Sequence, residues 1–171
     1  MSASLIGDFI DAAVGDHDLA TRLLEKHPEL LNARWLHDET VLHFLAVEGF
    51  GDAVAWLAQQ GADVDAVNKF GDTALIDTVI LGIESIAGKL LQYGANPNVS
   101  SRTRGTPLRE AVQRGHDGIV ALLLAAGADA RFGMDEGETI FDELPAGEPD
   151  RENVLAVLAR YGIIPEDADQ P

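Results

Sequence analysis

Thr106-Pro107-Leu108-Arg109, then Gly115, then Gly127-Ala128-Asp129 is the stretch that decides how this chain folds. Threonine caps helix N-termini well, and proline is tolerated in a first helical turn. Leu108, Ala111 and Val112 fall on one face at helical spacing, and Gly115 stops the helix. A second apolar run, Ile119, Val120, Leu123 and Leu124, closes at Gly127. The stretch reads as helix, turn, helix and extended loop.

Working outward, the same unit recurs at a step of 33 residues. Thr40, Thr73, Thr106 and Thr139 keep that step, as do Gly49, Gly82 and Gly115, and again Gly61, Gly94 and Gly127. In register stand Thr40-Val41-Leu42-His43, Thr73-Ala74-Leu75-Ile76 and Thr139-Ile140-Phe141-Asp142. Val54 and Leu57 fill the second apolar run of one copy; Ile86, Leu90 and Leu91 fill that of the next. A fixed period of this length marks a stack of repeats, each unable to bury its apolar faces alone.

The copies resemble the ankyrin repeat. Thr106-Pro107-Leu108 matches the T-P-L-H helix start of that family, and Gly61-Ala62-Asp63-Val64 matches its G-A-D-V-N ending. The resemblance implies an all-α ankyrin-repeat solenoid of about five stacked helix-turn-helix repeats, with irregular capping repeats at both ends. They form a single domain over 1–165, with repeats at roughly 1–34, 35–67, 68–100, 101–133 and 134–165. In the first, Ala12-Ala13, Gly15 and Leu23-Leu24 take the family positions, and His27 to Asn32 replace the G-A-D ending. In the last, Pro145 and Pro149 interrupt the first helix. The acidic residues 166–171 read as a disordered tail.

Composition narrows the function. A formal charge of -17 disfavours nucleic acid and anionic membranes, whose partners must neutralise phosphates. With 0 cysteines there are no disulfides or thiolate metal sites, which fits the cytoplasm. Met1-Ser2-Ala3-Ser4-Leu5 has no basic n-region, which predicts no secretory signal. No apolar run reaches the length of a membrane span.

No motif for catalysis, cofactor or metal stands up. Gly82…Gly88-Lys89 is one step too long for a phosphate loop, and Leu90 stands where Ser or Thr is required. The repeat register accounts for it instead: Gly88 aligns with Ala55 and Ala121 inside second helices and should weaken its own. Asp63-Val64-Asp65 lacks the third ligand and the turn glycine of a calcium loop. Asp135-Glu136-Gly137-Glu138 reads as a solvated acidic tip. None of the five histidines pairs at metal-ligand spacing. His43 holds the family position that implies a hydrogen-bonded brace between repeats.

Function then falls to the surface. The resemblance implies partner binding on the concave side, through finger tips and the exposed face of the first helices. Carried over by position, the candidate contacts are Leu36, His37, Lys69, Phe70, Ile80, Leu81, Arg102, Gln113 and Arg114. Leu36, Phe70, Ile80 and Leu81 are apolar where water is expected, as contact sites often are. Arg102, Arg104, Arg109 and Arg114 form a basic stripe suited to carboxylates. Two bland readings compete: the apolar set packs within the stack, and the arginines pair with neighbouring Asp and Glu. Asp38 and Arg104 stand where Gly71 and Gly137 keep the turn glycine, so fingers 2 and 4 are expected to differ in shape. The reading is a monomeric, non-enzymatic protein-interaction module whose partner offers an acidic or apolar segment. Self-association through the apolar patch or a stack end is the second reading, and enzymatic activity a third.

Overall fold

A computed structural model describes residues 2–165; the acidic tail at 166–171 lies outside the described residues. Nine α-helices run in the order α1 (Ala3–Gly15), α2 (His17–Lys26), α3 (Val41–Val47), α4 (Gly51–Gln59), α5 (Ala74–Ile80), α6 (Glu84–Gln92), α7 (Pro107–Gln113), α8 (Asp117–Ala125) and α9 (Asp150–Arg160) among the described residues. Helices α3, α5 and α7 pack side by side as one layer, and α4, α6, α8 and α9 as a second. No helix of the described residues is long and apolar enough to cross a membrane.

The period becomes two columns of buried side chains. Phe9, Leu42, Leu75 and Leu108 stack along the first layer, each excluded from solvent. Leu57, Leu90 and Leu123 do the same in the second. Burying one such side chain contributes about 1.5–3 kcal/mol, so the columns carry much of the stability. Thr40, Thr73 and Thr106 cap α3, α5 and α7, accepting from His43, Ile76 and Arg109 N–H at 3.4, 3.4 and 3.2 Å. Beyond α5, Gly82 takes φ 70°, and Ile83 N–H reaches back to Thr78 C=O at 2.9 Å, closing a Schellman turn.

A polar ladder runs beside the columns. Asn32, Asp65 and Asn98 each accept one backbone N–H from the next repeat, those of Asp63, Asn96 and Asp129, at 2.9, 2.9 and 2.8 Å. Asp63 and Asp65 are therefore structural, and Asn32 does in the divergent first repeat what Asp65 does in the second. His43 adds a brace: its ring nitrogen Nε2 donates to Asp72 C=O at 3.2 Å, while Nδ1 accepts from the Thr40 hydroxyl at 2.9 Å. Both bonds together require the neutral ring, and burial holds the His43 pKa below its ordinary value.

The two end repeats depart from the pattern. Helix α1 runs through Gly15, which does not take the left-handed turn conformation expected there. Asp16 instead ends α1 and caps α2, accepting from Leu19 N–H at 2.9 Å. With 13 residues α1 is longer than α3, and it covers both α3 and α4. At the other end, the first helix shrinks to a 3-10 turn at Ile140–Glu143 before Pro145, and α9 follows Pro149.

Two outcomes test this account. An added Cβ at Gly88 meets only Leu122, at an ordinary 3.5 Å. Gly88→Ala should therefore stabilise the fold by about 0.5–1 kcal/mol in urea unfolding. For His43, the unfolded ring takes a proton near 6.5 and the folded ring only at lower pH. Its contribution is complete above that pH and is lost as pH falls below it. The stability gap between wild type and His43→Gln should thus narrow from about pH 7.5 to about pH 5 in the same assay.

Candidate functional site

Fingers 2, 3 and 4 are five-residue turns, each closed by one backbone bond. Trp35 N–H to Glu39 C=O, Asn68 to Asp72 and Ser101 to Gly105 are 2.8, 2.9 and 2.9 Å and keep the 33-residue register. Gly71 has φ 85° in finger 3, and in finger 2 His37 and Asp38 adopt φ 59° and 61° without being glycine. Such conformations cost non-glycine residues free energy unless the surroundings hold them. Here Arg34 Nη1 donates to both Asp38 C=O and Val67 C=O at 2.7 Å, and His37 C=O accepts from Lys69 N–H at 2.9 Å. In finger 4 the left-handed residue is Gly105, one place later, with φ 96°.

These turns bring several of the candidate residues together. The His37 and Phe70 rings lie 6.0 Å apart, and Lys69 Nζ sits 4.8 Å from the Phe70 centroid, a cation–π contact. Leu36, Leu81 and Phe70 are 65%, 57% and 43% exposed, so the packing of repeats 2 and 3 leaves them open to solvent. Ile80 differs from expectation: it is half-buried, and Leu81 after it carries the exposed apolar surface.

The arginine stripe is largely tied into the stack. Asp72 is buried, and its carboxylate accepts from the Ser101 hydroxyl and from Arg104 Nε, the latter at 3.2 Å. Arg109 pairs with Glu143, to which Gln113 also donates. Arg114 pairs with Glu110 at 3.0 Å. Arg102 joins no ion pair among the described residues; its stem lies over Gly71, where an added Cβ would approach Cγ to 3.0 Å. A buried carboxylate needs a partner far more than an exposed one does, so Asp72 and Glu110 hold Arg104 and Arg114.

Asp77, on α5, belongs to no motif of the sequence. Phe44, Asp77, Glu110 and Glu143 stand 33 residues apart, a column on the first layer that the alignment of copies contains. Glu110 and Glu143 have arginines; Asp77 has no ion-pair partner among the described residues. Burial, then the charges of Asp72 and Glu39, push its pKa up to about 7, against a small opposing effect of Arg104. The folded state thus holds the Asp77 proton to higher pH than the unfolded chain, whose value is near 3.8. Its stabilising effect is present below that value and is lost as pH rises through about 7. The stability gained by Asp77→Asn should therefore grow from about pH 4 to about pH 8 in urea unfolding.

Family and sequence comparisons agree with this architecture. The family described as ankyrin repeats (3 copies) matches residues 9–101, and the single ankyrin repeat matches residues 105–132. Ankyrin repeat and SOCS box protein 16 of Mus musculus is 34% identical over 74% of this chain and 31% of its own length. Cyclin-dependent kinase inhibitor 2A of Monodelphis domestica is 38% identical over 48% of each. Putative ankyrin repeat protein YahD of Escherichia coli is 38% identical over 42% of this chain and 38% of its own. The chain spans less than half the length of each of these curated relatives. With the matched segments, the capped helix pairs and the inter-repeat ladder in agreement, the chain belongs to the ankyrin-repeat family.

Proposed function

We propose that the chain is a non-enzymatic module that binds a partner protein on the concave face of the stack, through fingers 2 and 3 and the end of α5. Ankyrin repeats generally mediate protein–protein interaction. The observation that carries the finer reading is the exposure of Leu36, Phe70 and Leu81 on adjacent repeats, beside Lys69 and His37. Aromatic and large aliphatic side chains of this kind act as anchors, and a polar surround excludes water from them.

An apolar partner segment fits this surface better than a purely acidic one. Arg104, Arg109 and Arg114 already have carboxylates, which leaves Lys69 and Arg102 as the cations able to meet an acidic group nearby. Gln113 and Arg114 stay exposed, so they belong to the rim of the site. A cytoplasmic location is part of the proposal and rests on the lack of cysteine.

The test is a double substitution, Phe70→Ala with Leu81→Ala, on the protein that co-purifies with the native chain. Both side chains are exposed, so the melting temperature should barely move. Affinity in calorimetric titration should fall by roughly tenfold or more. Full affinity in the double variant would remove these residues from the site. Sedimentation at high concentration addresses the rival reading, in which the same patch joins two copies.

A further inference from the structure

We propose that the N-terminal end of the stack carries a second docking site, a groove that takes a basic amphipathic segment of a partner protein. The groove has a volume of about 360 Å³. Ile10, Asp11 and Val14 of α1 form one wall, and Trp35, Phe44 and Phe50 form the other. Trp35 and Phe44 tilt against each other with centroids 6.0 Å apart. Val14, Trp35 and Phe50 are 42%, 41% and 41% exposed, so the stack leaves the groove uncovered. It lies on repeats 1 and 2 and shares no residue with the Phe70–Leu81 surface.

The charge pattern selects the occupant. There is no lysine or arginine from Met1 to Thr21 or from Trp35 to Asn68, the two stretches that supply the groove. Arg34, next to Trp35, is turned toward Asp38 and Val67 by its two carbonyl bonds. Asp11 lines the groove; Asp8 stands one turn before it on α1, and Glu48 ends α3 between Phe44 and Phe50. Asp52, two residues after Phe50, is almost fully exposed and lies 3.5 Å from the partly exposed Lys89, and a pair so open to water on one side is worth little. An apolar trough with acidic edges complements a segment with aliphatic or aromatic side chains on one face and Lys or Arg on the other. A cation held over the open face of Trp35 adds a cation–π contact.

Gly7 supplies a test that misfolding cannot imitate. It lies in α1 at the mouth of the groove, and an added Cβ there has nothing within 4 Å. Gly7→Gln fills the mouth and replaces a poor helix former by a good one, so its melting temperature should hold or rise. The full chain is titrated with a synthetic Lys/Leu amphipathic peptide, following the Trp35 indole N–H by NMR. Glu/Leu and Lys/Ser peptides of equal length serve as controls. The Lys/Leu peptide should bind, shift the Trp35 signal and weaken with salt. It should lose at least tenfold in affinity in Gly7→Gln and in Asp11→Lys, and keep its affinity in Phe70→Ala/Leu81→Ala. Equal binding of the Glu/Leu or Lys/Ser peptide, no binding of the Lys/Leu peptide, or unchanged affinity in Gly7→Gln would overturn the proposal. So would a homodimer that Gly7→Gln dissolves, because the groove would then seat a second copy.

Discussion

A seven-residue helix paired with a nine-residue helix cannot hold itself together in water, and everything else in this molecule follows from that constraint. Helices α5 and α6 have apolar side chains toward both neighbouring repeats. Leu75 is dry only because Leu42 and Leu108 lie on either side of it, and Leu90 only because Leu57 and Leu123 do. The stack needs ends for the same reason. Helix α1 meets that need by length, spreading over α3 and α4 with Phe9 6.3 Å from Trp56, and His17 at the start of α2 adds a ring stacked on Trp56 at 5.0 Å. Irregular end repeats are the physical consequence of having a neighbour on one side only.

Polar groups are arranged under the same constraint. Stacking brings backbone N–H groups of one repeat against the loop of the previous one, and Asn32, Asp65 and Asn98 satisfy them. It also buries the Asp72 carboxylate, which must then be met from the next repeat by Ser101 and Arg104. In a chain with 29 acidic and 12 basic residues, each cation drawn inward in this way leaves fewer on the surface. Asp77 is the site where the supply runs short, and it keeps its proton to near neutrality instead.

The sequence showed the 33-residue register and the threonine caps, because each depends on residues a few positions apart in a repeating unit, whereas the brace from His43 to Asp72, 29 positions away, was implied by the family resemblance. The sequence misled at Gly15, where the cap is Asp16, and at Ile80, where the helix turns the side chain partly inward and leaves Leu81 outside. Finger 2 keeps the same closing bond as finger 3 although Asp38 replaces the glycine, since Arg34 holds the carbonyl in place. Finger 4 moves its left-handed residue to Gly105. Single-residue substitutions in a turn do not announce which of these solutions the chain adopts.

By itself the sequence determined the class of fold and its register, because a 33-residue period repeats the same local and nearest-neighbour interactions. Only the tertiary structure decided which surface charges and apolar groups remain available. Arg104 meets Asp72 across 32 positions and Arg109 meets Glu143 across 34, pairings that no window along the chain contains. The groove between α1 and Trp35, Phe44 and Phe50 arises in the same way, from a long first helix that lies over two others and leaves an open seam beside them.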